Sequence, residues 1–160
     1  MKILLLDVDG VLNDHTRHAN GYCGLQPDKL ARLDRIVAAT GCRIVLASAW
    51  RYLILSGSMT LSGFRNLLLT HGAAKETADA LLDRLPKDRS ADDPHDRGKL
   101  ARSWLDGNPL VERAVALDDG AWPGGEDLGY EVMGIPVVRP SPRVGLTDAE
   151  ALRVIEMLNA

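Results

Sequence analysis

Asp7 and Asp9 are separated by one residue and close the apolar run of residues 3–6, with Gly10 immediately after them. Ser48 closes a second apolar run, residues 42–47, and Asp118-Asp119 closes a third, residues 113–117. Lys99 lies ahead of that third run. Two acids, a hydroxyl, a lysine and an acidic pair match the demands of phosphate-ester hydrolysis. A phosphomonoester dianion repels a carboxylate nucleophile, so cations must neutralise it first. Mg²⁺ prefers oxygen ligands and usually keeps several waters. Asp7 and one or both of Asp118 and Asp119 could supply its carboxylates, with a backbone carbonyl near Asp9 as a further ligand. Lys99 would add a fixed charge, and Ser48 a hydroxyl donor, to the phosphoryl oxygens. Asp7 could then attack phosphorus to give an aspartyl-phosphate. Asp9 would protonate the departing oxygen and later deprotonate the hydrolytic water. Gly10 removes a side chain where the backbone turns close to the site.

These residues act together only if the fold gathers them. Residues 3–8, 42–47, 113–117 and 135–138 are apolar runs that read as strands buried on both faces, as in a parallel sheet. Periodicity leaves residues 78–85 open between helix and strand; parallel-sheet logic favours a short strand at 81–85. Pro27 fits the first turn of a helix carrying Leu30, Leu33, Ile36 and Val37, with Gly41 at its C-terminal end. Residues 61–71 and 99–105 also have helical spacing, and Thr147 with Glu150 forms a capping box for a last helix. Residues 86–94 and 120–129 read as loops. Strand and helix alternate, which predicts an α/β, doubly wound, Rossmann-like and mainly parallel sheet of about five strands. Ligands of such sheets bind outside the carboxyl ends of the strands, where the six residues would converge.

The length of 160 residues suits one domain, 1–160, and 46% hydrophobic content suffices for one core. A net charge of −3 provides no broad basic surface for a long nucleic-acid backbone, although a local patch could hold a short end. The two cysteines, Cys23 and Cys42, are too few for a disulfide framework and form no C-x-x-C pair. Asp7 cuts the first apolar run far short of a signal peptide or membrane span, so a soluble, cytoplasmic protein is expected.

The stretch Asp7-Val8-Asp9-Gly10-Val11-Leu12 after an apolar strand resembles the first signature of haloacid-dehalogenase-like (HAD) phosphatases. Ser48, Lys99 and Asp118-Asp119 stand where that superfamily has its second, third and fourth signatures, in the same order. The resemblance implies Asp7 as nucleophile and Asp9 as general acid/base. It implies Ser48 and Lys99 as phosphoryl binders, and Ala49 and Arg51 beside Ser48 are further candidates for the phosphate site. The metal set would be Asp7, Asp9, Asp118 and Asp119, with Asp119 favoured over Asp118 as a direct ligand. Ser48-Ala49-Trp50-Arg51, residues 59–69 and Arg143-Val144-Gly145-Leu146-Thr147 further resemble the HAD domain of Swiss Army Knife RNA repair proteins. Superfamily members often carry a large cap, but here the first insertion point holds only a short flap at about 13–26. An open site suits the phosphorylated end of a macromolecule, such as a nucleic acid.

Other readings remain beside this one. Asp-x-Asp-Gly also opens calcium loops, but Val11 and Leu12 replace the oxygen ligands such a loop needs. Gly98-Lys99 is no P-loop, because Asp93 stands at the first glycine position and Leu100 at the hydroxyl position. Arg51 and Trp50 could hold a phosphate and stack on a base, or instead form a salt bridge and pack. His15 and His18 in the flap could touch substrate; Trp104 and Trp122 more naturally pack. A small-metabolite phosphatase and a non-catalytic, receiver-like or phosphate-binding module are the alternative functions. In a receiver the lysine follows the fifth strand, whereas Lys99 precedes the fourth.

Overall fold

The computed structural model describes residues 1–14, 24–90, 93, 95–120 and 128–160. Five strands form one all-parallel sheet: β1 (Lys2–Leu6), β2 (Arg43–Leu46), β3 (Leu81–Arg84), β4 (Arg113–Leu117) and β5 (Val137–Val138), ordered β3-β2-β1-β4-β5. The helices are α1 (Pro27–Thr40), α2 (Arg51–Leu55), α3 (Leu61–Thr70), α4 (Lys75–Ala80), α5 (Asp96–Asp106) and α6 (Asp148–Asn159).

Strand parity explains the layers. Side chains alternate across a strand, so Leu4 and Leu6, Ile44 and Leu46, and Val115 and Leu117 share one face. That face packs under Leu30 and Leu33 of α1, Phe64 and Leu68 of α3 and Val154 and Leu158 of α6. Ile3, Leu5, Val45 and Ala116 point the other way and meet Leu100, Ala101 and Leu105 of α5. Ile3 through Leu6 are therefore fully buried on both sides, as expected for the central strand. This is the doubly wound α/β fold that the alternating elements predict, and among the described residues no cap domain covers the strand ends.

Three boundaries differ from the sequence reading. Residues 75–80 are helical and only 81–84 form the strand, so the ambiguous stretch contains both. The fifth strand is trimmed to two residues. Most consequentially, α5 begins at Asp96 rather than Lys99, so Arg97 is also helical and Lys99 is no longer the first residue of the helix. Gly41 at the end of α1 and the Thr147–Glu150 capping box of α6 are found as expected. The flap with His15 and His18 lies mostly outside the described residues, as does Trp122. Among the described residues no helix is long and apolar enough to cross a membrane.

Candidate active site

The strand order reverses at β1. The chain runs from β1 outward through β2 to β3, then returns to place β4 on the other side of β1. Ligand crevices of open α/β sheets lie at such a switch point. The register pairs Leu6 with Leu117, so the residues that follow, Asp7 and Asp118, emerge side by side. Asp7 N–H donates to the Leu117 carbonyl at 2.9 Å, and Asp118 N–H to Val138 at 3.2 Å. One carboxylate oxygen from each of Asp7, Asp118 and Asp119 lies within 4.8 Å of the others.

Asp7 and Asp118 are buried and Asp119 is half-buried. Burial, reinforced by the neighbouring charge of Asp118, pushes the Asp7 carboxyl up to about 8; Arg97 partly opposes this. Arg97 approaches from α5: its Nη1 donates to Asp118 Oδ2 at 2.9 Å and stands 3.9 Å from Asp7 Oδ1. Tyr130 Oη also donates to Asp118 Oδ2, at 3.2 Å, and Gly120 N–H to Oδ1 at 3.0 Å. Burial, then Asp118, raises the Tyr130 hydroxyl well above its ordinary value, so it remains a donor. An all-oxygen carboxylate set with repelling charges fits a hard divalent cation such as Mg²⁺.

Asp9, two residues after Asp7, is half-buried, and both its oxygens accept hydrogen bonds. Asn13 Nδ2 donates to Oδ1 and Trp50 Nε1 to Oδ2, each at 2.9 Å. Gly10 N–H donates to Asn13 Oδ1 at 2.9 Å. Its φ of 72° lies in the left-handed region that glycine adopts without a Cβ penalty.

Ser48 and Ala49 follow β2. Ser48 is fully buried; its N–H donates to the Leu6 carbonyl at 3.2 Å, and its Oγ accepts from Trp50 N–H at 3.2 Å. Ala49 is exposed, and its carbonyl accepts from Tyr52 N–H at 3.0 Å. Arg51 takes the salt-bridge role of the two open to it. Its fully buried guanidinium donates to the carbonyls of Ala47 and Ser48 at 2.9 Å and of Pro86 at 3.2 Å, and pairs with Asp88. It thus braces the β2–α2 turn.

Lys99 is not brought to the acidic cluster. Its side chain is 46% exposed, and its Nζ donates to Asp93 at 2.5 Å. Arg97 stands at the carboxylates in its place, and helical phase gives the reason. Arg97 lies three and four residues before the inward Leu100 and Ala101, whereas Lys99 shares the outward face with Ser103 and Asp106. That phase was readable from the apolar spacing of α5, given the correct helix start. Gly98 lets the helix seat so closely: a Cβ there would lie 2.2 Å from the Gly129 backbone carbon. Gly98 N–H donates to the Leu128 carbonyl at 2.8 Å, locking the start of α5 to the segment that carries Tyr130.

Among the described residues, three surface clefts lie away from the cluster, one of them of about 600 Å³ between Glu131 and Arg153. Another of about 390 Å³ is lined by Arg113 and Ile135, and one of about 650 Å³ by Ala31 and Thr77; none includes an acid of the cluster. Residues 3–151 match the family model described as the HAD domain in Swiss Army Knife RNA repair proteins. No match to the chain was found among curated proteins or among solved structures. The match spans nearly the whole chain and agrees with the parallel sheet and its buried acidic cluster. The chain belongs to the HAD domain family of Swiss Army Knife RNA repair proteins.

Proposed function

We propose that the protein is a Mg²⁺-dependent phosphomonoester hydrolase that works through an aspartyl-phosphate on Asp7. The observation that carries this reading is the gathering of Asp7, Asp118 and Asp119 within 4.8 Å at the switch point, with Arg97 against them. Asp7, Asp118 and Asp119, with the backbone near Asp9, would hold the cation. When bound, Mg²⁺ supplies charge that offsets the carboxylates and the phosphoryl oxygens.

Asp7 attacks phosphorus, and the bond from phosphorus to the ester oxygen breaks as Asp9 gives that oxygen a proton. Asp9 then takes a proton from water as the water oxygen attacks phosphorus. The bond to Asp7 breaks and inorganic phosphate leaves. Arg97 takes the phosphoryl-neutralising role expected of Lys99, and its planar fork suits two phosphoryl oxygens. Ser48 and Ala49, on the turn after β2, keep their phosphate-binding role in this reading, with the Ser48 N–H tied to the Leu6 carbonyl next to Asp7.

The substrate in this reading is a phosphate at the end of an RNA chain. The family description and the lack of a cap among the described residues support it, as does the small reach needed to hold one terminus. A small phosphometabolite is the alternative, and salt separates the two. Hydrolysis of an RNA-terminal phosphate should weaken more steeply between low and high salt than that of an aryl phosphate, through backbone contacts. The mechanism is tested by Asp7→Asn, which should abolish Mg²⁺-dependent phosphate release from an aryl phosphate. Unchanged release would refute it, and a long-lived phospho-Asp7 without turnover would favour a receiver-like module.

A further inference from the structure

We propose that Trp50 is a positioning residue that aims the Asp9 carboxylate; the inference rests on the hydrolase reading above. An Asp side chain has two rotatable bonds, and a general acid must keep its proton directed at one departing oxygen to be effective. Asp9 sits on a turn after β1, with no strand to hold its side chain. Two donors from separate parts of the chain supply the restraint. Asn13 comes from the same turn, its amide oriented by the Gly10 N–H. Trp50 comes from the β2–α2 turn and donates from Nε1 to Asp9 Oδ2 at 2.9 Å.

Trp50 is itself well fixed. Its backbone N–H donates to Ser48 Oγ at 3.2 Å, and its ring meets Phe64 edge to face, with centroids 6.1 Å apart and planes at 89°. Aromatic pairs favour this geometry, and Phe64 is fully buried in the larger core. The core therefore fixes the indole, and the indole in turn fixes the acid. An indole N–H donates only, so Trp50 cannot exchange a proton with substrate and acts through Asp9 alone. A carboxylate has about four lone-pair sites. Two donors leave room for the proton that Asp9 must carry.

Departing oxygens differ in their need for the acid, and this makes the role measurable. A nitrophenolate leaves without protonation, whereas an alkoxide does not. In the full-length protein with Mg²⁺, Trp50→Phe should lower kcat/KM for glycerol 2-phosphate about 10–100-fold. For p-nitrophenyl phosphate it should fall less than about threefold, with KM for both substrates unchanged. Asp9→Asn should show the same selectivity more strongly. Benzothienylalanine at position 50 keeps the ring size but carries sulfur in place of N–H, and should reproduce the Trp50→Phe pattern should phenylalanine leave the core underfilled. Equal losses on both substrates would mean a packing role only, and no loss on either would remove Trp50 from the mechanism; either result overturns the proposal. A wild-type protein that releases phosphate neither from these esters nor from the phosphorylated end of an RNA oligonucleotide would instead remove the hydrolase reading on which the proposal stands.

Discussion

Replacing Asp7 by Asn should stabilise the metal-free protein at alkaline pH and leave it unchanged near pH 4. The folded state holds the Asp7 proton up to about 8, whereas the unfolded chain releases it near 3.8. Between those values the native state binds more protons than the unfolded state, so stability falls as pH rises across the window. Below it both states are protonated and the term vanishes. Each pH unit is worth about 1.4 kcal/mol, giving a ceiling of about 6 kcal/mol at pH 8. Water entry and local relaxation reduce such penalties, so about 2–3 kcal/mol is expected. Asn mimics the neutral carboxyl and carries none of this cost. For a domain of this size the gain corresponds to about 5–10 °C in Tm. The assay is thermal and urea unfolding of both proteins in chelator at pH 4, 6 and 8. A variant no more stable than the parent at pH 8, or equally offset at pH 4, would refute the argument. Millimolar Mg²⁺ should stabilise the parent at pH 8 and the variant much less, because the ligand set has lost a carboxylate.

The two basic residues of α5 should behave oppositely. Arg97→Ala leaves Asp118 and Asp7 without their guanidinium and should cost about 2–4 kcal/mol by urea unfolding, with turnover down at least about 100-fold. Lys99→Ala should change neither Tm nor turnover measurably, since its ammonium is exposed on Asp93. Gly98→Ala tests the close approach. Helix propensity alone favours alanine by about 1 kcal/mol, but the Cβ would meet the Gly129 backbone at 2.2 Å. A net loss of about 1–3 kcal/mol in urea unfolding is expected, and a net gain would show that the contact yields.

Much of this protein is decided by local pattern. Continuous apolar runs dictate strands buried on both faces, because an alternating strand would expose every second residue to the core of the opposite layer. Asp7 and Asp118 follow two such runs directly, and parallel pairing then sets them side by side, so the acidic cluster is legible from the chain alone. Periodicity alone left residues 78–85 open, because so short an apolar stretch fits both periods, and parallel-sheet logic supplied the strand found at Leu81–Arg84.

Apolar spacing separates the faces of α5, but which polar side chains meet the acids was decided by how the layers pack. Arg97 and Lys99 are chemically alike and two positions apart. The seating of α5 on Gly129 turns the first toward Asp118 and the second toward solvent on Asp93. Arg51 and Trp50 were equally open between substrate and scaffold. The loop at Pro86 and Asp88 claims Arg51, and Asp9, distant in sequence, claims the Trp50 N–H. Periodicity specifies which face of an element is buried, because burial is a property of the element. Hydrogen-bond partners come from whichever other element the packed layers bring within about 3 Å, and that distance exists only once the chain has folded.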